Sequence, residues 1–115
     1  MNNIRKIIKQ ELIKLGYNIG NIGTLYLVDV IEVVITSENQ FLLLLNLEKN
    51  VYNKIAEKYN QNPKTVKSDI IKATNKMNDI RDLKHFDENL NKLSTKMVVM
   101  DIVDNLKNEH NCCIW

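Results

Sequence analysis

Lysines and small polar residues recur along one stretch of the chain at spacings suited to contact with a nucleic-acid duplex. Residues 49–77 contain seven lysines and two acidic residues, a net charge of +5, whereas the whole chain of 115 residues carries +2. A locally basic segment in a mildly acidic body is typical of a phosphate-binding surface. The alternative interpretation is that these lysines only solvate an exposed helix face.

The second half of this stretch shows two faces if it forms a helix that turns by about 100° per residue. One face is apolar and predicts burial: Val66, Ile70, Ala73 and Met77. The opposite face and its flanks carry the residues that we expect to contact DNA: Lys64, Thr65, Lys67, Ser68, Ile71, Lys72 and Asn75.

These side chains suit different parts of a duplex. The amide of Asn75 can bond adenine bidentately, the hydroxyl of Ser68 can bond several base edges, and Ile71 can contact a thymine methyl group. The lysines are expected on phosphates, where they set position and not sequence. Without an arginine to read guanine, we expect weak discrimination with a preference for A·T-rich sites.

Other residue types that could do chemistry form no catalytic or metal-binding set. Asp29 and Glu32 lie three apart on a predicted helix, but no His, Cys or third acid stands near them in sequence. We interpret them as a solvated strip. The lone histidines, His85 and His110, are interpreted as structural. The sequence therefore predicts no enzyme, no cofactor and no metal site.

The two cysteines, Cys112 and Cys113, are adjacent and close to the end of the chain. Neighbouring cysteines make a poor structural crosslink. The ending Cys-Cys-Ile-Trp has the length of a prenylation box, but its last residue and the lack of a polybasic run argue against that modification. We interpret the ending as a frayed tail whose apolar residues dock on an apolar surface or on a partner subunit.

The basic stretch itself has the pattern of a helix-turn-helix over about residues 51–77. Its first helix places apolar residues at i, i+4 and i+8 from Val51. Asn60 tolerates the left-handed conformation that a tight turn requires. Asn62 is a suitable N-cap, and Pro63 suits the first turn of the second helix, where its missing N–H costs nothing.

Apolar periodicity predicts helices in the rest of the chain, and one proline with three glycines favours an all-α fold. The predicted helices cover about 2–15 (ended by Gly16), about 21–37, Phe41–Leu45, part of 78–91 and about 95–110. The second is apolar almost all round, so it should be central. Phe41–Leu45 should plug the core beneath the hairpin, together with Leu47. The last helix should close the core or form the contact of a homodimer.

These elements predict one domain, residues 1–115, with about six helices. No apolar run reaches the roughly 18 residues of a membrane span. The first helix carries charges throughout and does not have the pattern of a signal peptide. We therefore expect a cytoplasmic protein with no membrane partner.

Three segments, in order, resemble the C-terminal effector domain of the stage-zero sporulation response regulator of endospore-forming bacteria. They are LGYNIGNIGTLYLVDVIEVVI (15–35), LEKNVYNKIAEKYNQNPKTVKSDIIKAT (47–74) and KLSTKMVVMDIVDNLKNEH (92–110). The likeness covers nearly the whole chain. The hairpin alone also resembles the LuxR-type helix-turn-helix, but that group does not account for residues 1–45 or for the last helix.

The resemblance implies an all-helical domain of the response-regulator effector type, comparable to a winged helix without its strands. It implies a transcription regulator of sporulation that binds double-stranded DNA with the second hairpin helix in the major groove. The family protein carries a phosphorylatable receiver domain, and this chain begins where that domain would have ended. We therefore expect an effector that lacks a receiver, either as a free-standing protein or as a fragment of a longer one.

The base-reading residues of that family do not carry over. Its recognition helix presents an adjacent Glu-Arg pair and a further Arg three residues on, where this chain has Lys67-Ser68 and Ile71. The alternative function is a protein-interaction module that pairs with a full-length sporulation regulator, or antagonises it, through the last helix.

Overall fold

The computed structural model describes residues 2–85 and 92–109, and the side chains of residues 3–81 and 92–108. The described part is all-helical and contains no strand, so the predicted fold class is confirmed. The helices are α1 (Asn2–Leu15), α2 (Ile22–Thr36), α3 (Gln40–Leu45), α4 (Asn53–Tyr59), α5 (Pro63–His85) and α6 (Thr95–Glu109). A π-helical turn, Glu48–Tyr52, runs directly into α4.

Helix α2 is the centre of the molecule, as its apolar sequence predicted. It contacts each of the other five helices and the π-helical turn. Its fully buried residues include Leu27, Val28, Val30, Ile31 and Val34. Helix α1 adds Ile8 and Leu12 to this core, and α6 adds a stripe that begins at Val98. A helix that is apolar on nearly all sides must be covered on all sides, and the other helices do that.

Two glycines stand where the backbone requires them. Gly16 ends α1 with a φ of 116°, a conformation that L side chains rarely adopt. Gly23, in the first turn of α2, lies against α5. A Cβ at this position would be 2.0 Å from the carbonyl oxygen of Asp69. The start of α2 therefore touches the backbone of α5, with no room for a side chain between the two helices.

The prediction that Phe41–Leu45 plugs the core is only partly right, because within this run Leu43 and Leu44 alone are partly buried and packed against the core. Phe41 is 72 % exposed, Leu42 54 % and Leu45 57 %, and α3 contains no buried residue. Beneath the hairpin, the core contains Leu47 and Val51, and Val51 in the π-helical turn is fully buried. An apolar run on so short a helix does not show which of its sides another element covers.

The prediction of a separate helix within 78–91 is wrong, because α5 continues without a break to His85. One polar residue of this region, Asn78, has a structural role. It is buried, its Nδ2 donates to the carbonyl oxygen of Leu93 at 2.9 Å, and its Oδ1 accepts from the Leu93 N–H at 2.9 Å. The buried amide thus ties α5 to the segment that leads into α6.

Several sequence interpretations fall on parts outside the described residues. These are the side chains of Leu83 and His85, and residues Phe86, Leu90, His110, Cys112, Cys113, Ile114 and Trp115.

Candidate nucleic-acid interface

The turn between α4 and α5 has the local structure that its sequence predicted. Asn60 is left-handed, with φ 54° and ψ 48°, and its N–H donates to the carbonyls of Ala56 and Glu57. Asn62 accepts the Lys64 N–H on its Oδ1 at 2.9 Å and so caps α5. Because the turn is short and doubly hydrogen-bonded, it fixes the direction in which α5 leaves α4.

Helix α5 buries one face and exposes the other along the whole candidate interface. The predicted apolar stripe is buried: Val66, Ile70, Ala73 and Met77. Of the residues predicted to contact DNA, six are exposed and Lys67 is partly exposed; the six are Lys64, Thr65, Ser68, Ile71, Lys72 and Asn75. The structure therefore brings all seven to the solvent side of one helix. Ile71 is 43 % exposed on this face.

One carboxylate, which the sequence reasoning missed, reaches this face from a neighbouring element. Glu48, in the π-helical turn, places Oε2 2.9 Å from the Lys67 ammonium. A shallow groove joins this pair to Lys64, Ser68 and Ile71. The sequence signal was an acidic residue directly before the basic stretch, 19 residues before Lys67. Only the folded hairpin brings the two together.

Asp29 is a second residue whose role was missed, and its assignment to a solvated strip is wrong. Its side chain is only 2 % exposed. It accepts hydrogen bonds from Arg5 Nη1 at 2.5 Å, from Lys58 Nζ at 3.1 Å and from the Tyr59 hydroxyl. Glu32 remains partly exposed, 3.1 Å from Arg5. Asp29 thus joins α1 and α2 to α4, the first helix of the hairpin.

The electrostatics of this cluster favour an ionised Asp29. Burial by itself raises the pKa of Asp29, but hydrogen bonds from Tyr59, Arg5 and Lys58 outweigh burial and hold that pKa below its usual value. For the hydroxyl of Tyr59, burial and the Asp29 carboxylate both raise the pKa. Tyr26 packs edge-on against Tyr59, with ring centroids 5.3 Å apart.

Buried hydroxyls hold the other side of α5. The Tyr17 hydroxyl lies 2.8 Å from Thr74 Oγ1, which is also 3.2 Å from Thr95 Oγ1. Burial raises the pKa of Tyr17 to about 12, so the phenol stays neutral and available as a donor. This chain of hydroxyls links the loop after α1, the middle of α5 and the start of α6.

Four of the seven lysines of the basic stretch divide into two groups. Lys58 is paired with Asp29, and Lys67 is paired with Glu48. Lys64 and Lys72 stand exposed on α5 without an ion pair to any described residue. Among the described residues, the ammonium groups of Lys64 and Lys72 therefore have no carboxylate partner, whereas that of Lys67 is held by Glu48.

Among the described residues, no group of three or more His, Cys, Asp or Glu is arranged to hold a metal ion. Within the same residues, no helix is long and apolar enough to cross a membrane.

A short hairpin with a left-handed turn and a solvent-facing second helix defines a helix-turn-helix domain. The family described as "Sporulation initiation factor Spo0A C terminal" matches residues 8–108. The chain belongs to this family, which consists of helical DNA-binding regulatory domains. The resemblance seen in the sequence is thereby confirmed. No curated protein and no solved structure gave a match.

Proposed function

We propose that this protein is a transcription regulator related to sporulation control that binds double-stranded DNA in a sequence-dependent manner. It acts in the cytoplasm as one domain and not as an enzyme. The observation that carries this proposal is the exposed face of α5, from Lys64 to Asn75, in a chain of a DNA-binding family.

Each residue on this face has a proposed role. Lys64 and Lys72 hold phosphates, together with the hydroxyl of Thr65 at the start of α5. Ser68, Ile71 and Asn75 lie on successive turns and face the major-groove edges of the bases. Lys67 joins the phosphate contacts once it is released from Glu48. The fold supports contact through these residues, because the opposite face of α5 is buried in the core and cannot meet DNA.

Titration of duplex DNA at several salt concentrations tests the proposal. If phosphates are engaged, log K falls linearly with log salt concentration, by roughly 0.9 for each phosphate contact. Selection of bound sequences from a random duplex pool then shows whether A·T-rich sites are preferred. Failure to bind any duplex at low salt would contradict the proposal.

A second candidate function is a protein-interaction module that pairs with a full-length sporulation regulator. The observation in its favour is apolar surface away from the core: Phe41, Leu42 and Leu45 on α3, and Met97 and Met100 on α6. Contacts through α6 would also serve a homodimer. Sedimentation of the protein alone and with the full-length regulator tests this candidate. A heterodimer without DNA binding would favour it over the first.

A further inference from the structure

A carboxylate on the proposed DNA-binding face repels the phosphates of DNA. Glu48 and Lys67 form a pair of 2.9 Å, and their side chains are 51 % and 45 % exposed. Both remain in reach of solvent at the groove that contains Lys64, Ser68 and Ile71. A duplex bound in this groove would bring phosphates close to Glu48. The Glu48 carboxylate repels those phosphates, and it also occupies the Lys67 ammonium that could otherwise bind one of them.

The Glu48–Lys67 ion pair is weak enough for a phosphate to replace Glu48. Ion pairs in solvent contribute little to folding stability, so this pair has little value as a structural crosslink. A phosphate forms charge-assisted hydrogen bonds of comparable strength with the same ammonium. Binding of any duplex therefore sets the phosphate and Glu48 in competition for Lys67.

We propose that Glu48 restrains sequence-independent DNA binding by competing with phosphate for Lys67. This inference rests on the proposed function. In the free protein Glu48 holds the ammonium, and on an arbitrary duplex the exchange for phosphate gains little. Affinity for non-specific DNA is consequently low, and discrimination is left to the residues that face the bases.

The substitution Glu48→Gln tests this idea because it removes the charge and keeps the shape. With a random-sequence duplex as the probe, the variant should bind about two- to fivefold more tightly at low salt, a factor that matches the strength of an exposed ion pair. The slope of log K against log salt concentration should steepen by about 0.9, corresponding to one additional phosphate contact.

A double-mutant cycle shows whether the gain passes through Lys67. In the natural protein Lys67→Ala should leave the salt slope nearly unchanged, because the lysine held by Glu48 makes no phosphate contact. Affinity should fall there only through repulsion by the unpaired Glu48. In the Glu48→Gln background the same substitution should remove the added affinity and restore the shallower slope. If Lys67→Ala changes the salt slope equally in both backgrounds, the proposed competition is overturned.

Glu38 provides a matched control. It is an exposed glutamate between α2 and α3, without an ion pair to any described residue. Glu38→Gln removes the same charge and should leave the slope unchanged. Equal affinity and slope in Glu48→Gln and the natural protein would overturn this inference alone. If neither protein bound the duplex at low salt, the proposed function would fail, and this inference with it.

Discussion

Asn75 presents its amide on the exposed face of α5, two helical turns beyond Ser68. We expect Asn75→Ala to flatten the preference at one base pair, with a loss of about 1–3 kcal/mol on the preferred base. Lys72→Ala is the matched comparison, and it should weaken all sequences alike because phosphates are the same everywhere. Binding of a panel of single-base variants measures both. A base-specific loss for Lys72→Ala would reverse the assigned roles.

The ionisation state of Asp29 affects the stability of the folded protein. Its folded-state pKa is lowered, so its ionised form stabilises the protein above the unfolded value of about 3.9. That stability is lost as pH falls through the folded pKa. Asp29→Asn should cost about 1–3 kcal/mol near neutral pH, because the hydrogen bonds from Arg5, Lys58 and Tyr59 lose their charged acceptor.

Chemical denaturation over a range of pH values checks this prediction. The Asp29→Asn variant should also lose part of the acid dependence of stability that the natural protein shows below about pH 4. Glu32→Gln is the control. That side chain is 33 % exposed, and among the described residues it forms an ion pair with Arg5 alone, so the loss of its charge should cost less than about 1 kcal/mol. Equal effects of the two substitutions would argue against the buried cluster.

At the scale of the elements, the position of α5 depends on its contact with the start of α2. Gly23→Ala would place a Cβ 2.0 Å from the Asp69 carbonyl oxygen. The backbone of α5 must then move, and we expect destabilisation of at least about 1–3 kcal/mol, as for overpacking in a core. DNA affinity should fall as well, because the displaced helix carries the interface.

Comparing the thermal unfolding of Gly23→Ala with that of Gly20→Ala distinguishes a steric clash with α5 from the general effect of replacing a glycine. At Gly20 a Cβ would meet only the Asn18 side chain, at 3.3 Å, and the residue is exposed. Gly20→Ala should therefore change stability little. A similarly stable Gly23→Ala protein would show that the two helices are not in direct contact.

For the whole molecule, the hairpin depends on the helices beneath it. Its buried residues, such as Val51, Ile55 and Val66, belong to the same core cluster as α2. A peptide of residues 48–85 should therefore lack a cooperative melting transition and bind DNA weakly, since fewer than about 40 residues rarely form a stable core alone. Circular dichroism of the peptide and of the whole chain tests this, and a cooperative melting curve for the peptide would contradict it.

The parts of the fold that depend on local chemistry could be predicted from the sequence. The left-handed Asn60, the cap at Asn62 and the buried stripe from Val66 follow from the residues themselves and their neighbours. The parts that failed depend on distant residues. Asp29 was misread because its partners lie 24 to 30 residues away, and α3 was misread because its sequence cannot show what covers it.

Helix α5 carries its core positions and its outward positions alternately along one stretch of chain. Val66, Ile70 and Ala73 face inward, while Ser68, Ile71 and Asn75 between and beyond them face outward. Substitution of the outward residues leaves the packing untouched, so the set of bases that such a helix prefers can change while the architecture persists. Ser68 and Ile71 stand at such outward positions, so a change of residue there would require no new fold.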